Sequence, residues 1–360
     1  MKKILCLTDG FNQGGAERQL VGLAHLLTEK GYDVTLSSYQ EKNFYKSLIN
    51  NYNVKYELIK VKSNKLSKFW GVKTFIRNGK FDVVITYKGS PNVICGFLKL
   101  IGGRFKMIGS ERCSIIKLSR NQKVRFFLYR FADYLVPNSF SQERFIKDRF
   151  PSLTSKTITI TNFTDTKHFC PKRQATLNSI PYILVAGRIS YQKNILRFIE
   201  SLVKVKEDGF VFKVLWFGNI NFGESDYYEQ CIQMIKKYQF SDYFEFHPAT
   251  DNILEEYHKC DVFCLPSIFE GYPNVICEAM SCGKPILCSN VCDNPIIVDN
   301  KRNGILFDPF SVDDMTKKIE EYFNLSDIIK DNMGNESRLL AEQRFSEEVF
   351  VSRYTKLIES

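Results

Sequence analysis

At 360 residues and 44% apolar content, the chain is long enough for two cores and too hydrophobic for a disordered polypeptide. Its eleven cysteines stand mostly in apolar runs with no Cys-x-x-Cys pair, and its four histidines form no ligand spacing. A disulfide scaffold and a zinc site are therefore set aside in favour of buried thiols in a reducing compartment. The net charge of +10 is unevenly shared: residues 1–172 hold 30 Lys/Arg against 12 Asp/Glu, and residues 173–360 hold 20 against 28, so the halves are expected to meet different partners.

Short apolar runs alternate with amphipathic stretches along the first half. Strands are expected over residues 3–8, 34–38, 54–59, 83–86, 106–109, 134–137 and 157–160, with a helix at 16–28 that carries Leu20, Leu23, Ala24 and Leu27 on one face. The polar, twice-proline segment 171–181 has no hydrophobic period and reads as a linker. The alternation then restarts. Strands are expected at 182–186, 212–217, 244–246, 262–265, 285–288 and 304–307, and helices at 194–206, 226–238, 252–258, 273–282, 311–323 and 346–358. Strands spaced by helices imply βαβ units. The fold class is α/β: two Rossmann-like doubly wound domains facing a central cleft, residues 1–172 and 173–345, with the terminal helix of 346–360 packing back toward the first. Ligands of such sheets bind outside the carboxyl ends of the strands.

No apolar run approaches the ~20 residues that span a bilayer, and the start, Met1 to Leu7, is too short to be a signal peptide. The chain is expected in the cytoplasm or on a membrane face. No helix-turn-helix, zinc-finger or RNA-binding signature accompanies the basic half, so nucleic acid is not expected as a partner.

The sharpest local signal is SIFEGYPNVICE, residues 267–278, directly after the apolar run 262–265. Glu270 falls in the loop at the strand's carboxyl end, Pro273 suits a first helical turn, and Glu278 follows one to two turns in. Carboxylates accept bonds from sugar and ribose hydroxyls, and helix-start N–H groups donate to phosphate oxygens. An acidic helix start would satisfy the macrodipole without any ligand, so the two glutamates alone leave both readings open. Arg188 and Lys193 sit between another expected strand and the next helix, where fixed cations suit the charge that develops on a departing nucleoside diphosphate.

The longer text FEGYPNVICEAMSCGKPIL resembles the Glu-x7-Glu signature of retaining glycosyltransferase family 4, the group 1 glycosyltransferases. Val185-Ala186-Gly187-Arg188-Ile189 with Lys193-Asn194 resembles that family's Gly-Arg…Lys-Asn segment, and Gly14-Gly15-Ala16-Glu17-Arg18 resembles its N-terminal glycine loop. The three motifs stand in order over nearly the whole chain. The resemblance implies two domains of the GT-B type and transfer of a sugar, with retention, from a nucleotide-sugar donor to an acceptor hydroxyl. By the same resemblance Arg188 and Lys193 hold the diphosphate. Glu278 holds the ribose. Glu270, with the backbone of Gly271, Tyr272, Pro273, Asn274 and Val275, holds the sugar. Gly187 and Gly15 face the donor, and Gly14 and Glu17 face the acceptor.

No Asp-x-Asp motif is present, so neither a metal nor any cofactor is expected, and the Arg/Lys pair takes the metal's place. Many family members carry a histidine after the strand expected at 106–109; this chain has Ser110-Glu111-Arg112 instead, and Glu111 or Arg112 is the candidate replacement, a plain loop salt bridge being the alternative. The stretches 65–73 and 117–130 interleave rings with Lys and Arg, which as helices suit an anionic membrane surface or, equally, a buried aromatic face with a solvated basic one. The basic half and the missing span point to a lipid-linked glycan acceptor in bacterial surface-polysaccharide assembly, O-antigen or capsule, at the inner face of the cytoplasmic membrane. The rival readings are a sugar-nucleotide epimerase of the same architecture and a non-catalytic peripheral membrane protein.

Overall fold

The computed structural model describes residues 1–112, 118–172 and 179–360. Most of the linker expected at 171–181, the boundary at 172/173 and Lys117 of the second basic stretch border or lie outside the described residues. The described chain forms two units, Met1–Phe163 with Glu347–Ser360, and Thr164–Ser346.

In unit 1 the order is β1 (Lys3–Leu7), α1 (Gly15–Glu29), β2 (Asp33–Ser38), α2 (Lys46–Asn51), β3 (Tyr56–Leu58), α3 (Lys65–Gly79), β4 (Val83–Tyr87), α4 (Gly89–Leu100), β5 (Lys106–Glu111), α5 (Arg120–Leu128), β6 (Tyr134–Pro137) and α6 (Phe140–Arg149). All six strands are parallel, in the order β3-β2-β1-β4-β5-β6. The central strands read as continuous apolar runs because helices cover both of their faces. One face buries Ile4, Cys6 and Ile85 against α1. The other buries Leu5, Leu7 and Val84 against Val72 and Ile76 of α3, Cys95 and Leu98 of α4, and Phe126 of α5.

Unit 2 repeats the plan with β7 (Tyr182–Ala186), α7 (Ile195–Glu207), β8 (Lys213–Phe217), α8 (Ser225–Lys237), β9 (Phe244–His247), α9 (Ile253–Lys259), β10 (Val262–Leu265), α10 (Asn274–Ser281), β11 (Ile286–Ser289), α11 (Asn294–Ile297), β12 (Gly304–Phe307), α12 (Val312–Phe323) and α13 (Asp327–Phe345). Its parallel order is β12-β11-β10-β7-β8-β9. The last helix, α14 (Glu347–Glu359), returns to unit 1, where Phe350, Val351, Tyr354, Leu357 and Ile358 complete the α1-side core.

Two elements depart from the sequence reading. Residues 157–160 form no regular strand: Ile158 and Ile160 donate backbone bonds to the Leu135 and Pro137 carbonyls, but only Thr157 pairs in parallel with Leu135. The threonine hydroxyls bond elsewhere, Thr157 to the Leu153 carbonyl (2.8 Å) and Thr159 to Glu143 (2.7 Å), in competition with regular pairing. The 19-residue α13 was not anticipated. Half of its buried face is small, Gly334, Ser337 and Ala341 beside Met333, Leu340 and Phe345, so its apolar stripe is faint. Smallness has a cause: a Cβ on Gly334 would lie 2.4 Å from the Gly283 carbonyl oxygen.

Candidate functional site

A doubly wound sheet opens a crevice at its carboxyl edge where the strand order reverses. In unit 2 the reversal falls between β7 and β10. The loops leaving those two strands carry Lys193 and Glu270, and the Lys193 Nζ stands 2.6 Å from Glu270 Oε1. Both residues are buried, each at 9% exposure. A buried ion pair is a weak source of stability, because desolvation cancels most of the Coulomb gain. Its significance here lies in the donors left on the ammonium, which has three N–H groups.

Local chemistry explains the placement. Tyr191–Lys193 makes one 3-10 turn, and Asn194 then takes φ +59°, a left-handed conformation that asparagine tolerates. The Asn194 side chain donates to the Pro309 carbonyl (2.7 Å), tying the turn to the loop after β12. Gln192 stitches the two loops together: its carbonyl accepts from Ile268 N–H (2.9 Å), and its amide donates to the Phe269 carbonyl (2.8 Å). Under this loop the backbone is tightly packed. The Trp216 indole donates to the Gly187 carbonyl (2.8 Å), and a Cβ on Gly218 would stand 2.0 Å from the same oxygen. Gly187 itself has the lysine stem beside it, since its Cβ would meet Lys193 Cε at 3.0 Å. Arg188 leaves the same strand and donates to Asn221 (3.0 Å) in the loop after β8.

Glu278 is buried on α10, and Tyr257 of α9 donates to its Oε2 (3.2 Å). Burial, followed by the Glu278 charge, drives the Tyr257 phenol well above its ordinary pKa, so it remains a donor at any physiological pH. Pro273 stands at the N-cap of α10, whose start has no side-chain cap. Helix-start amides collect there at the same edge as Glu270. Gly271, Asn274 and Val275 line this turn. The Tyr272 ring packs into the core edge-on to Phe345 (5.9 Å). The Cys292 thiol bonds the backbone at Glu270, and burial raises its pKa.

Unit 1 has its own reversal, between β1 and β4, with its own lysine. Lys88 Nζ stands 2.6 Å from Glu17 Oε1 and 3.0 Å from Asp9 Oδ1. Burial lowers the lysine's pKa, but bonds to the two carboxylates outweigh it and raise the net value. Lys88 has φ +72° and ψ 166°, a region almost exclusive to glycine. Gly14 is the N-cap of α1 and exchanges bonds with the Tyr45 hydroxyl, donating its N–H (3.2 Å) and accepting at its carbonyl (2.8 Å). Gly15 opens α1, and a Cβ on Gly14 would lie 2.7 Å from Glu17 Oε2. Asp9 and Lys88 were not singled out in the sequence. The reversal of strand order would have found them, but it is a property of topology.

Glu111 and Arg112 sit in structural networks. Glu111 is buried, gripped by Arg125 (2.7 and 3.0 Å) and the Tyr129 hydroxyl; burial raises its pKa against the opposing pull of Arg125. Arg112 stacks 4.2 Å over the Tyr87 ring and donates to the hydroxyls of Tyr87 and Tyr354 and to Asn162 (2.9 Å), locking α14 onto the sheet.

Among the described residues no cluster of His, Cys, Asp and Glu has metal-holding geometry, and no helix is long and apolar enough to cross a membrane.

Residues 171–339 match the model of the family described as "Glycosyl transferases group 1". An uncharacterized glycosyltransferase of Haemophilus influenzae is 25% identical over 95% of this chain and 96% of its own. The amylovoran biosynthesis glycosyltransferase AmsD of Erwinia amylovora is 25% identical over 85% and 88%. A Campylobacter jejuni 4-alpha-N-acetylgalactosaminyltransferase, named for a diphospho-undecaprenol substrate, is 24% identical over 81% of each chain. Among solved structures, Anabaena HepE in complex with UDP superposes with a TM-score of 0.86 at 19% identity, over the full length of both chains, a likeness of fold.

Proposed function

We propose that this chain, whose residues 171–339 match the group 1 glycosyltransferases, is one of them and transfers a sugar from a nucleotide-sugar donor to an acceptor hydroxyl with retention at the anomeric carbon. The observation that carries the reading is the Lys193–Glu270 pair, 2.6 Å apart at the strand-order reversal of the second sheet. Unit 2 takes the donor, and the carboxyl edge of unit 1, with Gly14, Glu17 and Lys88, serves the acceptor.

The chemistry follows from the charges. The bond from the anomeric carbon to the diphosphate oxygen breaks, and a bond to the acceptor oxygen forms. The acceptor's proton passes to the leaving diphosphate, so no protein nucleophile is required. Arg188 and Lys193 stabilise the charge on the departing diphosphate, the term that dominates such reactions. Glu270 fixes Lys193 and accepts from sugar hydroxyls. Glu278, oriented by Tyr257, accepts from the ribose. Fixed cations fill the role of a metal, so turnover persists in EDTA.

The acceptor is a lipid-linked glycan of bacterial surface-polysaccharide assembly, met at the inner face of the cytoplasmic membrane. The diphospho-undecaprenol and amylovoran names of the relatives support this class. The test is a thermal-shift screen of nucleoside diphosphates and their sugars, followed by transfer assays with undecaprenyl-diphosphate glycans. A donor that binds the folded state raises the melting temperature by mass action. If no nucleotide moves it, or if Glu270→Gln transfers at the wild-type rate, the reading fails.

A further inference from the structure

The outer side of the α3, α4 and α5 layer is left unexplained by glycosyl transfer. These helices bury one face against the first sheet and present the other outward. The outward face is unusually apolar. Leu66, Trp70, Phe97, Ile101 and Phe127 are exposed, Trp70 by 55%, and Phe97 sits 5.6 Å from Phe69 of the neighbouring helix, so rings of α3 and α4 form one ridge. The same face is cationic. None of the three helices contains an acid, and from Lys65 to Ala132 the chain has only Asp82 and Glu111. Glu111 is buried in its own network, and Asp82 accepts from Lys3 N–H.

At the foot of the ridge, α3 and the end of α4 enclose a pocket of about 370 Å³. Lys73, Arg77, Lys80 and Arg104 ring an apolar floor that includes Ile76 and Phe105. Among the described residues none of the four cations has an acidic partner. Four unneutralised cations around an apolar floor, continuous with a ridge of rings, match a surface that is negative outside and apolar beneath. An anionic bilayer has that profile, whereas a protein partner would need a dense acidic patch with an apolar centre.

We infer that the α3–α4–α5 face docks on an anionic lipid bilayer, with Trp70, Phe97 and Phe127 entering the headgroup–acyl boundary and the Lys73/Arg77/Lys80/Arg104 pocket receiving a lipid phosphate. The inference deepens the lipid-linked-acceptor reading and rests on it for its biological purpose. Docking this face would bring the acceptor, itself held in the membrane, to the enzyme.

The chain provides its own probe. It has two tryptophans, Trp70 on the ridge and Trp216 fully buried in unit 2. Full-length protein is titrated with phosphatidylglycerol/phosphatidylcholine vesicles and with pure phosphatidylcholine vesicles at low salt. A blue shift with anionic vesicles, quenched when brominated acyl chains are used, is expected and reports Trp70 alone. Partitioning falls as salt rises. Each cation near such a membrane multiplies partitioning roughly fivefold, so the triple variant Arg77→Gln/Lys80→Gln/Arg104→Gln should lose about 100-fold. Phe97→Ser should weaken quenching, while Lys204→Gln, in unit 2, should change nothing.

Equal binding to neutral vesicles, an unmoved Trp70 spectrum, an unaffected triple variant, or a shift produced by single-stranded oligonucleotide but not by vesicles would overturn the inference. Nucleotide-induced thermal shift, measured on the same samples, reports the donor site separately. Its loss with docking intact would remove the transferase reading and leave the surface standing.

Discussion

The two units fold the same parallel sheet, and each places a lysine against carboxylate at the reversal of strand order. The two lysines are used differently. In unit 1 Lys88 is shared between Glu17 and Asp9, so two carboxylates offset one ammonium. In unit 2 Lys193 meets Glu270 alone, and Arg188 stands on the same loop, so one ammonium is paired with one carboxylate beside a second cation. Under the proposed function, the unit 2 edge would offer cations to a diphosphate and the unit 1 edge acceptors to a hydroxyl. The same architecture thus presents two different charge arrangements through a few loop residues. The net charges run opposite to this: the half with the acid-rich edge is basic, and a stretch of its excess, residues 65–132 with only Asp82 and Glu111 as acids, includes α3, α4 and α5.

The contrast can be broken at its strongest point first. Glu270→Gln leaves Lys193 buried without a counter-charge, at a cost of about 3 kcal/mol in stability and a drop of at least about 100-fold in turnover. Urea unfolding and initial rates check the two effects. A variant as stable and as active as wild type would remove Glu270 from the donor edge. Arg112→Ala should act on unit 1 alone. It removes a stacked guanidinium and its bonds to Tyr87, Tyr354 and Asn162, for roughly 2–3 kcal/mol, with nucleotide affinity changed by less than about twofold. Isothermal titration on the folded variant distinguishes this from a ligand contact.

Gly218→Ala probes the proposed donor edge. The added methyl would press on the Gly187 carbonyl and displace the Arg188 loop, at about 1–2 kcal/mol in nucleotide affinity. Tyr257→Phe should cost about 1 kcal/mol in donor binding, by freeing the Glu278 carboxylate, and leave acceptor KM unchanged. The smallest effect is on pH. Lys88 has a folded pKa above its ordinary value near 10.5, so its contribution is complete below that value and is lost as pH rises through the raised one. Lys88→Met should flatten the wild-type decline in melting temperature above pH 10.5. An unchanged slope would mean the Lys88 cluster contributes nothing to folding.

Much of this molecule was legible in its sequence because the signals are local. Apolar runs such as Ile183 to Val185 declared buried parallel strands, and Gly-Arg…Lys-Asn and Glu-x7-Glu declared their loops. Helix α13 escaped, because Gly334 and Ser337 replace the large side chains that make a helix stripe visible; the tight approach to Gly283 that favours them is a tertiary fact. Tyr272 enters the motif through its backbone; that its ring packs into the core edge-on to Phe345 is a tertiary fact. Lys88 escaped for a different reason. Nothing in Tyr-Lys-Gly-Ser marks it until β4 is laid beside β1, with Asp9 and Glu17 within reach.

Spacing along the chain set the alternation of strand and helix, the two-unit α/β plan, the charge asymmetry and the Gly-Arg…Lys-Asn and Glu-x7-Glu motifs. Strand order and helix packing set which carboxylate meets which lysine, which partners Glu111 and Arg112 bond, and that Phe69 of α3 meets Phe97 of α4. Those are contacts between residues tens to hundreds of positions apart, set by strand order and helix packing, and linear spacing carries no record of them.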